Sequence, residues 1–282
     1  MRTFAAVVLA ALTASLYALA TSLQALEARQ APKSEALSSS LIARLVRRPL
    51  WVIGTVAGLL AWPLQAVALS LGAVSLVQPA LGFGLVVLLV LGVRVLHERV
   101  GPREIAGVLA IAGGVAILGW AGPSQTGSFT TTGTWVTAVA LLLVAPAPYV
   151  LRRLGRAGGL PTSIAAGLGW ACLGLGTALL DVAIADRHVL AALAWGAACA
   201  AAAWGALLAE MTSLQMWAAT RAIPVAFGLE MAVPAALAPF LTHRQPPHAV
   251  AFALGLALAC AGAVALGSSR AVARAAAPLT EP

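Results

Sequence analysis

The chain has 282 residues, of which 61% are hydrophobic and only 9% are charged. Soluble domains carry about 25% charged residues, so this composition excludes an ordinary soluble protein. Uncharged apolar runs of roughly 20 residues recur from end to end, and each can cross the ~30 Å hydrocarbon core of a bilayer. Lipid offers the backbone no hydrogen-bond partner, so the runs must be helices. The sequence therefore predicts an all-α polytopic membrane protein.

The net charge of +8 resembles that of a nucleic-acid binder, but the basic residues lie in short loops between apolar runs. We therefore expect them to set membrane topology and expect no nucleic-acid partner. Cys172, Cys199 and Cys260 lie inside apolar runs without metal-binding spacing, so neither disulfides, a zinc site nor another cofactor is predicted. No Walker loop, nucleophile elbow or HExxH motif is present in the sequence, which argues against an enzyme.

Hydropathy predicts nine transmembrane spans in chain order. They are Phe4–Leu26, Leu50–Leu71, Val74–Val93, Ile105–Trp120, Gly133–Leu151, Ser163–Leu180, Ala197–Ala219, Ala222–Leu241 and Ala249–Gly267.

Two of these spans leave alternatives open. The first, with Arg2 before it and Ala18-Leu19-Ala20 inside it, also resembles a cleavable signal peptide, although its apolar run continues to Leu26. The stretch 189–219 is longer than one span needs. It fits either a tilted helix or a short surface helix that leads into a span.

The arginines predict the orientation. They concentrate in the first, third, fifth and seventh loops and in the C-terminal tail, at Arg29, Arg44, Arg47, Arg48, Arg94, Arg99, Arg103, Arg152, Arg153, Arg156, Arg221, Arg270 and Arg274. Basic loops remain on the cytoplasmic side of a membrane. We therefore expect a multi-pass protein of the cytoplasmic membrane, with the N-terminus outside and the C-terminus in the cytoplasm.

An internal repeat divides the chain. Leu64-Gln65 matches Leu214-Gln215, and the run 113–119 matches 261–267. The predicted orientation makes these segments inverted repeats, a common architecture of secondary transporters. The predicted organisation is an N-terminal half (1–132, four spans), a connector helix with a basic loop (133–160), a C-terminal half (161–268, four spans) and a cytoplasmic tail (269–282).

Two acids are predicted inside the membrane. Glu210 and Glu230 flank the turn near Arg221 at similar distances, which puts both about 15 Å deep on neighbouring antiparallel helices. Buried acids are costly and need a reason, and no lysine or arginine is predicted at that depth. They indicate a cation site or a proton relay; the alternative is that they stay protonated and link helices. Three amides, Gln65, Gln78 and Gln215, are further candidates for solute binding or for helix linking.

The segment 49–119 carries a family resemblance. Leu50-Trp51 opens one span and Val77-Gln78-Pro79 the next, followed by the Glu98-Arg99 turn and a glycine-rich helix. These motifs resemble the drug/metabolite transporter (EamA-like) superfamily, and most closely its NIPA-type magnesium transporters. The resemblance implies about nine helices in two inverted repeats. Where the magnesium transporters carry a Gly-Glu pair and an asparagine, this chain has Ala61-Trp62 and Gln65, so the resemblance implies the fold and not the substrate.

The sequence as a whole predicts a secondary transporter of a small molecule or cation, with Gln65, Gln78, Glu210, Gln215 and Glu230 lining a central cavity. A divalent-cation channel or facilitator is one alternative. A lipid-carrier flippase or a membrane subunit of an envelope complex is another. Whether the chain acts alone or as a homodimer stays open.

Overall fold

The computed structural model describes residues 2–71, 74–122, 129–242 and 245–267, which are helical and contain no strand. A short 3-10 helix lies at Lys33–Glu35 between the first two α-helices. The eleven α-helices are α1 (Arg2–Ala28), α2 (Ser39–Leu45), α3 (Pro49–Leu71), α4 (Val74–Arg94), α5 (Pro102–Ala121), α6 (Thr131–Val144), α7 (Ala147–Arg153), α8 (Gly159–Ala185), α9 (Val189–Met216), α10 (Ala219–Thr242) and α11 (Ala249–Gly267).

Eight helical segments are long and apolar enough to cross a membrane, with α6 and α7 counted together as Thr131–Arg153. The prediction of an all-α multi-pass membrane protein is therefore confirmed. The stretch 189–219 forms mostly one continuous 28-residue helix, α9, about 42 Å long, with no break between a surface helix and a span. The predicted third span lies in α4, whose apolar segment Ala80–Arg94 is shorter than the other eight.

The helices pack in two groups of four. In the first group, α1 packs against α3 and α4, and α4 packs against α5. In the second, α8 packs against α9 and α10, and α10 packs against α11. The groups meet mainly where α5 lies along α11, while α6 covers α8 and α9 from the side.

Paired glycines bring α5 and α11 close together. A side chain at Gly107 would lie 3.2 Å from the carbonyl oxygen of Gly262, and one at Gly114 would lie 2.7 Å from that of Gly255. Because the earlier glycine of α5 faces the later one of α11, the two helices are antiparallel. The two glycines of each helix are seven residues apart and lie on one face, so they form one continuous contact of small residues.

Four connections meet at one end of the bundle. Glu98, in the loop after α4, accepts hydrogen bonds from Arg29, at the end of α1, and from the first backbone amides of α10. Gly159, at the start of α8, lies against Trp217, in the α9–α10 turn. We call this the basic end, because the arginine-rich loops lie here.

A linker from α1 to α3, residues 29–48, crosses the basic end. It contains the 3-10 helix and α2, whose Leu41, Ile42 and Leu45 are buried in a cluster with Leu208 and Met211 of α9. The linker thus belongs to the core of the bundle and is anchored to the second helix group.

Candidate functional site

The two membrane acids lie at different depths. The turn between α9 and α10 is the pair Trp217-Ala218. Glu210 therefore lies about 9 Å from the end of its helix, and Glu230 about 16 Å from the start of its own. The sequence analysis centred this turn near Arg221, so the expectation of equal depth was wrong.

The helices that carry the acids are joined through a third. α9 and α10 pack more extensively on α8 than on one another. The indole Nε1 of Trp170, on α8, donates a hydrogen bond of 2.6 Å to Glu210. The carboxyl groups of Glu210 and Glu230 are close enough to interact electrostatically. The side chains of both acids are half-buried within the bundle.

A tyrosine connects the acids to one of the predicted amides. The Tyr17 hydroxyl of α1 donates a 3.3 Å hydrogen bond to the side-chain oxygen of Gln65 on α3. The same hydroxyl also lies in the neighbourhood of the Glu230 carboxyl. The structure therefore brings Gln65, Glu210 and Glu230 into one polar cluster with Tyr17 and Trp170, drawn from five helices.

Three members of this cluster share one depth. Tyr17 lies eleven residues before the end of α1, and Trp170 and Glu230 lie eleven residues after the starts of α8 and α10. All three helix termini are at the basic end, so these side chains lie about 16 Å from it. Half of a ~30 Å hydrocarbon core is a similar distance, so these three side chains are at a depth that corresponds to the middle of a membrane.

Of the other two predicted amides, Gln215 lies apart from the cluster, and Gln78 cannot be compared because its side chain is not described. Gln215 lies at the basic end, where its Nε2 donates hydrogen bonds to the carbonyl oxygens of Ala31, at 3.0 Å, and Pro32, at 2.8 Å. It therefore anchors the linker, and its predicted place in a central cavity is not what the structure shows. Gln78 lies within α4, but its side chain is outside the described residues.

The chemistry of the cluster suits a cation. Within the described residues, no side chain donates a hydrogen bond to Glu230, and no lysine or arginine is paired with either acid. Two neighbouring carboxylates in a membrane interior repel each other unless a cation or protons accompany them. Two carboxyls, a phenol and an amide form a small oxygen set, which suits protons, a monovalent or organic cation, or a partly hydrated divalent ion.

Tyr17 and Trp170 were missed by the sequence analysis. Both are aromatic residues in the middle of apolar runs, where they resemble ordinary packing residues. A signal was present nonetheless, because a phenol or indole at mid-membrane needs a hydrogen-bond partner. Most membrane tyrosines and tryptophans lie at the interface, so a mid-span position is itself informative.

Comparison of the chain with protein-family models, with curated proteins and with solved structures found no match. The class defined by the fold is that of multi-pass α-helical membrane proteins.

Proposed function

We propose that this chain is a secondary transporter whose cargo is a small cation held by Glu210 and Glu230. The observation that carries the proposal is the convergence of both acids with Trp170 and the Tyr17–Gln65 pair inside the bundle, with Tyr17, Trp170 and Glu230 at mid-membrane depth. Protein side chains that are charged or titratable at this depth are expensive, and they mark ion or substrate pathways. If protons replace the cation at the same two carboxyls, cation movement is coupled to proton movement through these residues alone.

The packing supports an inverted repeat. If α1, α3, α4 and α5 correspond to α8, α9, α10 and α11, the contacts within one group reproduce those within the other. The sequence match gives the same correspondence for the last three pairs. It also maps Gly107 to Gly255 and Gly114 to Gly262, so the contact of Gly107 with Gly262 maps onto that of Gly255 with Gly114. Such a self-matching antiparallel contact fits a pseudo-two-fold axis in the membrane plane, as in many transporters.

A ninth span at α4 follows from its neighbours. Gly84, within α4, lies against Ala14 of α1, and Glu98, just beyond α4, is bonded to Arg29, just beyond α1. α4 therefore runs parallel to α1 and covers nearly the same depth. With α4 included, helix direction alternates along the chain, the basic loops lie in the cytoplasm and the C-terminus is cytoplasmic.

Nine helices in two inverted halves, with a polar site between the halves, are what the resemblance to the drug/metabolite transporter superfamily implies. We propose membership of that superfamily on the motifs of residues 49–119 and on the packing correspondence. The position that corresponds to the acid of the magnesium transporters is Trp62 in this chain. The Trp62 side chain is exposed and faces away from the cluster. The acids here are in the other half, at Glu210 and Glu230, so we propose a cargo different from theirs.

The test is transport by the purified protein in proteoliposomes. Divalent cations, organic amines and alkali ions would each be supplied with and without a proton gradient, and flux and current recorded. We expect a cation-dependent signal that Glu210→Gln and Glu230→Gln abolish, because each removes a carboxylate and keeps its shape. Asp186→Asn, at the exposed far end of α8, is the matched control and should transport normally.

The outcomes separate the candidate functions. Current that follows the cation gradient without proton coupling would indicate a facilitator, and normal flux in both glutamine variants would reject the acid site. Absence of flux across the panel in folded protein would reject transport of these solutes and favour a flippase or a membrane subunit.

A further inference from the structure

Leu37 is the most unusual residue of the linker. It is fully buried, although the linker crosses the surface of the basic end. Its backbone is left-handed, with φ of 52°, a region that branched side chains rarely adopt. Strain of this kind persists only where surrounding contacts hold it, and it is concentrated at functional sites.

The contacts of Leu37 lie immediately beneath the polar cluster. Its side chain belongs to a buried cluster with Ala165, Ala166, Ala209 and Ala226. Ala166 is one helical turn from Trp170, on the same face of α8, and Ala226 stands in the same relation to Glu230 on α10. Ala209 directly precedes Glu210. Ala166 and Ala226 are closer to the basic end than Trp170 and Glu230, and Ala209 lies at the level of Glu210.

The linker is fixed in this position by polar contacts with α9. The Leu37 amide donates a 2.9 Å hydrogen bond to the hydroxyl of Thr212, two residues beyond Glu210. Gln215 bonds to the linker carbonyls of Ala31 and Pro32, and Arg44 is paired with Glu35 within the linker. These polar contacts are individually modest, whereas α2, in the same linker, is held by its buried apolar side chains. Withdrawal of the linker at Leu37 therefore means movement of residues 31–38 while α2 keeps its packing.

We propose that Leu37 is a stopper: it forms the floor of the cation site and closes the site toward the basic end, and withdrawal of the linker opens that route. This inference rests on the proposed transporter function. Leu37 is well placed for this role, because its pocket is formed by α8, α9 and α10, and two of these helices carry the acids. Movement of the segment around Leu37 away from these three helices would therefore remove Leu37 from its pocket.

The first experiment measures access and needs no substrate. Ala209→Cys would be introduced into a variant that lacks the three native cysteines. Its reaction with a membrane-impermeant thiol reagent would be measured in open membrane fragments, in which the reagent reaches the basic end of the bundle. Leu37→Gly is the informative change, because glycine accepts the positive φ and only the stopper is removed. We expect labelling to be slow with Leu37 present and about tenfold faster with Leu37→Gly, as for a site whose closed state is lost.

The matched control is Ala202→Cys, which is equally buried on the same helix but outside the Leu37 cluster. Its labelling should stay slow in both backgrounds. Equal labelling of Ala209→Cys with and without Leu37 would overturn the proposal. So would parallel acceleration at Ala202→Cys, which would indicate general loosening of the bundle.

The second experiment locks the stopper in place. In the same cysteine-free background, Leu37→Cys and Ala226→Cys would be oxidised to a disulfide and transport measured before and after reduction. We expect the disulfide to stop transport and reduction to restore it. Continued transport by the locked protein would overturn the stopper while the transporter proposal stood. If the wild-type protein moved no solute, the transporter proposal would fail, and the labelling experiment would still decide whether Leu37 closes the site.

Discussion

Trp170 holds Glu210 by a hydrogen bond of 2.6 Å from its indole Nε1 to a carboxylate oxygen. Trp170 lies on α8, the helix on which both acid-bearing helices pack. The bond therefore fixes the carboxyl of Glu210 relative to the common support of the site. Glu230, in contrast, receives no hydrogen bond from the described residues, and it is the acid whose position a bound cation would determine.

Trp170→Phe should weaken cation binding without abolishing transport. Phenylalanine keeps an aromatic ring but lacks the indole N–H, so no hydrogen bond from this position orients the Glu210 carboxylate, whose charge remains. Hydrogen bonds to charged groups contribute about 1.5–3 kcal/mol, so we expect KM for the cation to rise about tenfold or more with a smaller change in kcat. Trp204→Phe is the control, because Trp204, on the exposed side of α9, donates its hydrogen bond to the hydroxyl of Tyr149 on α7, away from the acids. Equal kinetics for both variants would show that the bond has no part in cation binding.

Gln65 and Gln215 should respond differently to the same change. Gln65→Leu removes the acceptor of the Tyr17 hydroxyl, which also lies in the neighbourhood of Glu230, so we expect KM to rise severalfold. Gln215→Leu removes two hydrogen bonds to the linker and should lower the free energy of unfolding by about 1–3 kcal/mol. The Tm should fall accordingly, with KM unchanged. A larger KM effect for Gln215→Leu than for Gln65→Leu would contradict this assignment.

These two amides show what the sequence could and could not establish. Length and apolarity alone predict the helices, because a membrane span has to satisfy its own backbone. The acids could also be found, since charge inside an apolar run is conspicuous. Gln65 and Gln215 occupy matching places in the repeat that the sequence predicts, yet of these two only Gln65 meets the cluster. The difference depends on the linker, which returns to α9 near Gln215, and such a long-range contact leaves no periodic signal.

Glu98 illustrates the same limit. In the sequence it follows His97 in a basic turn and resembles a solvated helix cap. In the structure its side chain is only 5% exposed and caps the start of α10, more than a hundred residues away. Helix ends and their caps can be predicted when they are local. A cap supplied by another part of the chain cannot be recognised from spacing.

Glu98→Leu should destabilise the bundle strongly. Its carboxylate accepts from the amides of Ala219 and Thr220 and pairs with Arg29, so leucine leaves those amides without this acceptor and Arg29 without its charge partner. Breaking a buried pair of this kind costs about 3 kcal/mol. We expect a large fall in Tm in detergent for Glu98→Leu and a smaller one for Glu98→Gln, whose amide oxygen still accepts one bond. Equal losses would show that the shape of the side chain matters and its acceptor oxygens do not.

Gly114→Ala should separate α5 from α11, whereas Gly113→Ala should be tolerated. A Cβ at Gly114 would lie 2.6 Å from the backbone nitrogen of Ala259, but one at Gly113 would lie 3.6 Å from a leucine methyl, an ordinary contact. Overpacking of this kind costs about 1–3 kcal/mol. Thermal unfolding of both variants in detergent measures the difference, and a fall in Tm of the same size for Gly113→Ala would contradict the paired-glycine contact.

The Glu35–Arg44 pair makes the stability of the linker depend on pH. The guanidinium of Arg44 donates hydrogen bonds of 2.8 and 2.5 Å to Glu35 and, with its charge, holds the pKa of that carboxyl below its ordinary value. Because the pKa is lowered on folding, the pair stabilises the folded chain above the unfolded pKa. That contribution is lost as pH falls through the folded pKa.

The pair is exposed, so its effect should be small and easily screened by salt. We expect Glu35→Gln to lower the Tm slightly at about pH 7 and to approach the wild type as pH falls through the lowered pKa of folded Glu35, below which this carboxyl is protonated in both states. Arg44→Gln should behave in the same way, since it removes the other partner. A difference from the wild type that persists unchanged at acid pH would mean that Glu35 stabilises the linker by packing and not by its charge.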